Sequence, residues 1–379
     1  MRDPAAELGE LDEQGLRRRL RRLETPQGVR VQLDDGKTYH NFSSNDYLGL
    51  ADNEELKESY CRNVRLHGVG SGASRLVCGT MAPHAVLEKK LARFKNAEAA
   101  LTFSTGFATA TGAIPAICGK NDFIILDKLS HASLIDGARL SGATMRIFPH
   151  NDIEALSKHL HWAEKRSSED ARILIITESI FSMDGDRALL KEICEIKRSS
   201  NALLFVDEAH AFGIVGNQGR GLVSLLGLEA DIDFQMGTFS KALGLSGGYI
   251  CATHAWIDLL INRARSFIYS TAPSPALAET ISDALDLVAS ETGDAARRRL
   301  ESNIAKLARP TDSAIVPIIV GENEAALSAA ESLRKRGFLI PAIRYPTVPR
   351  GTARLRITLS AAHEPSQIES LDSALAELL

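Results

Sequence analysis

The chemistry-bearing residues of this chain concentrate between Leu203 and Gly248. An apolar run, Leu203-Leu204-Phe205-Val206, ends in the acid Asp207, and His210 follows three residues later. Lys241 lies in Gly237-Thr238-Phe239-Ser240-Lys241-Ala242-Leu243-Gly244, a short polar turn bounded by glycines. Such an apolar run reads as a buried strand of a parallel sheet. Ligand sites in these sheets gather at the carboxyl ends of the strands, where Asp207 and Lys241 would both sit. An amine that forms a Schiff base and a carboxylate that faces a pyridinium nitrogen are what pyridoxal phosphate (PLP) requires of its protein. The carboxylate keeps the ring nitrogen protonated, so that the ring can take up the electrons of a carbanion. The amine holds the aldehyde and can later move protons. Taken singly, an acid at a strand end and a surface lysine are commonplace. Their weight comes from the elements around them.

Those elements alternate. Ala100–Ser104 reads as a strand that runs through Thr105-Gly106-Phe107 into a helix over Ala108–Ile117. Strand, glycine turn and helix N-terminus together make an anion site suited to a phosphate, because free N–H groups and the helix dipole point at it. A plain tight connection is the ordinary alternative. Further strands read over Phe123–Asp127, Thr144–Phe148 and Ile173–Glu178, with helices between them, one of them capped by Asn151 or Asp152. His131 falls just past the end of the strand Phe123–Asp127. Strand–helix alternation from residue 100 to about 255 predicts an α/β fold, a mostly parallel sheet covered by helices on both faces. Beyond Trp256 helices dominate to about Leu307. A smaller α+β region then follows, with strands over Ala314–Val320 and Arg354–Leu359, helices over Glu322–Arg336 and Glu364–Leu378, and prolines 341, 346 and 349 keeping the stretch before the last strand irregular. The expected organisation is an N-terminal helix and strand segment over 1–40, a large ligand-binding domain over 41–285 and a small C-terminal domain over 286–379.

Near the N-terminus Leu16, Leu20 and Leu23 share one face of a predicted helix, with arginines around it. Most of these arginines need be no more than a solvated face, but one could reach an anionic substrate. Val29–Leu33 alternates like a strand and meets a turn at Asp34-Asp35-Gly36. The glycines of 68–75 follow no strand of the right kind, so they are not a dinucleotide loop. His159 and His161, two apart on a helix, do not share a face and make no metal pair.

Composition narrows the function classes. The 379 residues suffice for roughly two or three domains. The net charge of −4 and the absence of a basic domain argue against a general nucleic-acid binder. No apolar run approaches a membrane span, and the first residues lack the pattern of a signal peptide. Five scattered cysteines without a Cys-x-x-Cys pair suggest neither a disulfide framework nor a zinc site, and a reduced, cytoplasmic protein is expected.

The ordered motifs are Asn-Phe-Ser-Ser-Asn-Asp-Tyr-Leu-Gly-Leu (41–50), Ser-His-Ala-Ser (130–133), Phe-Ser-Met-Asp-Gly-Asp (181–186), Val-Asp-Glu-Ala-His (206–210), Gly-Thr-Phe-Ser-Lys-Ala (237–242) and Gly-Thr-Ala-Arg-Leu-Arg (351–356). This set resembles the α-oxoamine synthases, PLP-dependent transferases of fold type I, over nearly the whole chain. The resemblance implies that Lys241 carries the cofactor, Asp207 bonds the pyridine nitrogen, and His210 and Ser182 bond the phenolic oxygen. It implies that His131 stacks on the ring and meets substrate, that Gly106, Phe107 and Thr238 hold phosphate or ring, and that Arg356 binds the amino-acid carboxylate. Arg17, Arg344 and Thr347 would contact substrate or product. Two positions depart from many relatives: Ser240 stands before the lysine where glycine is common, and Phe107 replaces a tyrosine.

The implied reaction is the decarboxylating condensation used in biotin synthesis. L-Alanine is joined to a pimeloyl thioester, of CoA or of a carrier, with loss of CO2. A homodimer is implied as well. Other members of the family, such as 2-amino-3-ketobutyrate CoA ligase, differ in amino acid and acyl group but not in these core motifs. A catalytically silent binding or regulatory subunit is the reading outside enzymology, and the intact Lys241, Asp207, His210 and Arg356 speak against it.

Overall fold

The computed structural model describes residues 3–309 and 311–378. The chain packs as two units. One comprises Met1–Asp52, Ser182–Asp186 and Ala296–Leu379; the other comprises Asn53–Phe181 and Arg187–Ala295. Stretches that lie far apart in sequence, at the two ends of the chain, therefore share one unit.

Strands are numbered along the chain. The first unit opens with the antiparallel pair β1 (Arg30–Gln32) and β2 (Thr38–Asn41), joined through the turn at Gly36. The second unit holds β3 (Ala99–Phe103), β4 (Phe123–Asp127), β5 (Thr144–Phe148), β6 (Ile173–Glu178), β7 (Leu203–Asp207), β8 (Phe234–Thr238) and β9 (Gly248–Ala252). They form one seven-stranded sheet in the order β3-β9-β8-β7-β6-β4-β5. From β8 across to β5 the pairing is parallel; β9 runs antiparallel to both β8 and β3. The mostly parallel sheet expected from the alternation is what forms.

Its strands read as continuous apolar runs because both faces are covered. Ile124, Leu126, Leu174, Ile176 and Phe205 point into one core, shared with Ala110, Ala113 and Ile114 of the helix Gly106–Ile117 and Leu134 of the helix Ala132–Ser141. Their neighbours Ile125, Ile173, Ile175, Leu204 and Val206 point into the other, with Leu156 and Leu160 of the helix Ile153–Glu164 and Ile193 of the helix Leu190–Arg198. Truncating any of these leucines or isoleucines to alanine costs about 2–5 kcal/mol. The sheet is thus a stiff platform for the loops at its carboxyl edge.

The first unit continues with β10 (Ile315–Gly321), β11 (Phe338–Leu339), β12 (Ala342–Ile343) and β13 (Ala353–Thr358). β13 lies between β10 and β12, whereas β11 joins β2 in parallel. The stretch before β13 is thus not wholly irregular. Pro341, which cannot donate to a ladder, sits where the chain leaves one small sheet for the other.

One helix is misplaced by the sequence pattern. The N-terminal helix is Pro4–Glu13, and residues 16–22 have no regular structure, with Leu20 fully exposed. Gly15, at φ +61°, ends the helix: its N–H bonds Asp12 O at 3.0 Å and Leu16 N–H bonds Leu11 O at 2.7 Å. This is the glycine-capped helix end in which the two residues past the cap turn back on the last carbonyls. The leucine spacing past it has no helix to act on, so Arg17 lies on a segment without regular structure rather than on a helix.

Candidate active site

Three neighbouring strands, β4, β6 and β7, each end in an acid, and each acid has a different task. Asp127 holds a loop: its carboxylate accepts the N–H groups of Leu129 at 2.8 Å and Asn151 at 3.0 Å and meets His150 Nδ1 at 3.0 Å. That loop leads to His131, the N-cap of the helix Ala132–Ser141. Glu178 accepts the backbone N–H of His131 at 2.5 Å. Burial, reinforced by the charge of Asp207 on the paired strand, keeps Glu178 protonated well above the usual carboxylate range. The Asp207 carboxylate accepts, among the described residues, only the N–H of Ala209, at 2.8 Å through Oδ1, and its Oδ2 takes no hydrogen bond from them. The residue is 5 % exposed, and desolvation raises its pKa while Lys241 pulls it down.

The turn after Asp207 is anchored from below. Glu208 is fully buried and pairs with Lys95, and its Oε1 accepts Val223 N–H at 2.9 Å. A buried pair of this kind is costly to break, because loss of one partner strands the other charge. The next residues present buried His210, whose Nε2 lies 2.6 Å from Lys241 Nζ. Lys241 itself is half-buried, three residues past the end of β8. Its loop is shaped by Thr238, whose Oγ1 donates to Gly247 O at 2.7 Å and accepts the N–H of Ser240 at 3.2 Å. Ser240, where many relatives carry glycine, is accommodated at the exposed edge with its hydroxyl 2.8 Å from that of Thr238.

His131 and the helix Gly106–Ile117 wall the space above. The His131 ring faces the open cavity, but its surroundings desolvate it and hold its pKa below the ordinary histidine value. Its Nδ1 accepts Ser133 N–H at 3.2 Å, which leaves the neutral ring with its proton on Nε2. Thr105 caps the helix by accepting Ala108 N–H at 2.9 Å. The first turn approaches the sheet so closely that a Cβ on Gly248 would stand 2.7 Å from Gly106 N and 2.5 Å from Thr109 Oγ1. Phe107 projects half-exposed at the rim.

The result is one cavity of about 200 Å³. Gly106, Phe107, His131, Asp207, His210, Thr238 and Lys241 all line it, so the structure brings together every residue expected there from this unit. Glu178 lines it too, although the motif reading passed over it. The available signal was its position, as an acid ending a buried strand in the manner of Asp207.

The other expected residues belong to the first unit. Arg356 is 4 % exposed on β13. Its Nε donates to Ser182 O at 2.6 Å, and its Nη1 donates to Asn45 Oδ1 at 3.1 Å and Thr358 Oγ1 at 2.8 Å. All three acceptors are neutral, and among the described residues no carboxylate lies within ion-pair distance of it. Arg344 donates to Gly15 O, and Arg18 Nη2 donates to Thr347 Oγ1 at 3.2 Å, so residues 15–18 and 344–347 meet. Arg17 is engaged by Asp12 at 2.5 Å.

Residues 37–375 match the family described as aminotransferase class I and II. The chain belongs to that family. Over its full length it is 46% identical to 8-amino-7-oxononanoate synthase of Geobacter sulfurreducens, covering 98% of that protein, and over 97% of its length it is 46% identical to 8-amino-7-oxononanoate synthase of Herminiimonas arsenicoxydans, covering 97% of that one. Among solved structures it superposes on serine palmitoyltransferase from S. paucimobilis with a bound PLP–myriocin aldimine, with a TM-score of 0.91 at 29% identity, covering 99% of this chain and 96% of that one. A crystal structure of 8-amino-7-oxononanoate synthase from Francisella tularensis gives 0.76 at 28% identity over 91% of this chain and 98% of that one.

The cavity's own chemistry fits PLP. Asp207 offers a desolvated carboxylate with an oxygen that lacks a donor, and a ring N–H would satisfy it and restore its charge. Lys241 offers an amine, and the capped helix start beside Thr238 offers backbone donors to a phosphate.

Proposed function

We propose that the protein is a PLP-dependent acyltransferase that joins L-alanine to a pimeloyl thioester. The products are 8-amino-7-oxononanoate, CO2 and the free thiol, and the first of these is the product in the name of its full-length relatives. The observation that carries the cofactor assignment is the convergence of Lys241, His210 and the under-bonded Asp207 on one cavity.

When bound, PLP supplies an electron-accepting ring for the electron pair left at the alanine α-carbon. Lys241 would hold the cofactor through its aldehyde, and its amine is the group that would take the α-proton of alanine and later return one. Asp207 holds the proton on the ring nitrogen. His131, neutral and fixed through Ser133 and Glu178, would stack on the ring, and His210 and Ser182 would serve the phenolic oxygen. Gly106, Phe107 and Thr238 hold phosphate and ring. Arg356 takes the alanine carboxylate, for which a buried guanidinium without a counter-ion is suited. Arg344, Thr347 and Arg17 take the distal carboxylate of the pimeloyl chain, since burying that group unpaired would be costly. The acyl donor is a CoA or carrier-protein thioester, and the working form is a cytoplasmic homodimer. Among the described residues no helix is long and apolar enough to cross a membrane.

A substrate-pair assay tests the reading. Alanine, glycine and serine are each supplied with pimeloyl, acetyl, succinyl or palmitoyl-CoA. Alanine with pimeloyl-CoA is expected to give the highest kcat/KM, with CO2 and thiol released in equal amounts. Preference for glycine with acetyl-CoA would overturn it.

A further inference from the structure

Arg354 stands two residues before Arg356 on β13, so the two guanidinium groups leave the same face of the strand. Both are buried, at 4 % exposure each, yet their surroundings are opposite. Arg354 is neutralised: its Nη1 meets Asp184 Oδ1 at 2.6 Å and donates to Met183 O at 3.3 Å, and its Nε donates to Thr352 O at 3.1 Å. Arg356 is not: its side-chain partners are Ser182 O, Asn45 Oδ1 and Thr358 Oγ1, with the neutral Tyr47 hydroxyl also beside it. The two arginines hold consecutive residues of one short segment, Arg356 the carbonyl of Ser182 and Arg354 the carbonyl of Met183 and the side chain of Asp184. That segment is pressed onto β10 as well. A Cβ on Gly185, at φ +75°, would stand 2.4 Å from Ile315 O.

We propose that Arg354 and Asp184 are a positioning pair for Arg356, setting its orientation and keeping its charge available for the amino-acid carboxylate. The pair acts in two ways. It fixes the backbone of residues 182–184, so that Ser182 O receives Arg356 Nε and the remaining edge of the guanidinium is held in one direction. It also occupies Asp184, a carboxylate which would otherwise compete for Arg356 two residues from the carbonyl that Arg356 already binds. A fixed fork is what two-point recognition of a carboxylate requires. Neither residue touches substrate in this account. The inference rests on the reading of Arg356 as the carboxylate-binding group.

The test uses the PLP-loaded enzyme and reads the absorbance change on titration with L-alanine and, in parallel, with ethylamine, which is alanine without its carboxylate. Arg354→Met is expected to raise the half-saturating alanine concentration about tenfold, in line with loss of a charge-assisted hydrogen bond, and to leave that for ethylamine unchanged. Asp184→Asn, which keeps an acceptor oxygen, is expected to show a smaller rise of the same kind, and Arg354→Lys to recover part of the loss. The double variant is expected to be no worse than Arg354→Met alone, because both changes break one link. Equal weakening for alanine and ethylamine, or none for either, would overturn the proposal. Arg356→Met is measured alongside. If it abolishes the preference for alanine while Arg354→Met and Asp184→Asn do not lower it, the positioning role alone is wrong. If it leaves the preference intact, the reading of Arg356 fails and the positioning role falls with it.

Discussion

Lys241 Nζ and His210 Nε2 stand 2.6 Å apart, one on the turn after β8 and the other on the turn after β7. At that spacing one nitrogen donates and the other accepts, so the imidazole aims the amine from outside the amine's own loop. The turn that carries His210 is anchored by the buried Lys95–Glu208 pair. Lys241 is therefore pre-oriented by two parallel strands rather than by a flexible side chain alone, which is the preorganisation that a reacting group needs.

The neighbouring carboxylate supplies the first prediction. Asp207→Asn keeps the shape and the Ala209 contact but removes the charge proposed to hold a proton on the ring nitrogen. Turnover should fall by about two orders of magnitude or more, comparable to loss of a well-placed electrostatic group. Steady-state kinetics on the PLP-saturated variant measure this, and near-normal turnover would sink the electron-sink role.

A second prediction concerns the distal carboxylate of the acyl donor. Arg344→Ala should raise KM for pimeloyl-CoA about tenfold, the scale of a lost charge-assisted contact, without changing the response to alanine alone. Arg17→Ala should have a smaller effect, since Asp12 already engages that guanidinium. Unchanged kcat/KM for pimeloyl-CoA in both variants would leave the distal carboxylate without these partners.

The third prediction tests the helix start as the phosphate site. Gly248→Ala would place a methyl 2.7 Å from Gly106 N and push the first helical turn off the sheet. Overpacking of this kind costs about 1–3 kcal/mol. PLP affinity should drop along with Tm, while Gly142→Ala, whose Cβ would meet nothing within 4 Å, should spare PLP affinity although its φ of +71° costs some stability. Equal PLP affinities in Gly248→Ala and wild type would remove the helix start from the site.

The fourth is a pH effect away from the site. His363 is buried, stacked on Phe42 at 4.2 Å, accepts Ser360 N–H at 3.0 Å through Nδ1 and donates from Nε2 to Asn41 O at 3.1 Å. Protonation of Nδ1 would break the first bond, and burial lowers the pKa from 6.5 to about 4. The folded value lies below the unfolded one, so the unfolded chain takes up the proton first. The contribution is complete above pH 6.5 and is lost as pH falls towards 4, by roughly 3 kcal/mol in all. Urea unfolding at pH 7 and pH 4.5 should show a smaller difference in His363→Gln than in wild type; an equal difference would contradict the assignment.

Much of this architecture was legible in the residues. β7 announced itself as an apolar run ending in Asp207, and Lys241 by its glycine-bounded turn, because local chain chemistry dictates both. Leu16, Leu20 and Leu23 misled because their spacing is helical while Gly15 had already ended the helix, a local signal that outranks periodicity. Glu178 was passed over because a strand-ending acid has no meaning until the register sets it beside Asp207. The grouping of Ser182–Asp186 with β10 and β13 is a long-range packing fact that no local pattern encodes.

The most direct measurement of the central claim is where the cofactor attaches. The PLP-loaded protein is reduced with borohydride, digested, and its modified peptide sequenced by mass spectrometry. A single phosphopyridoxyl group is expected on Lys241, absent from Lys241→Ala treated in the same way. A modification mapped to any other lysine, or a wild-type protein that retains no cofactor after reduction, would contradict it.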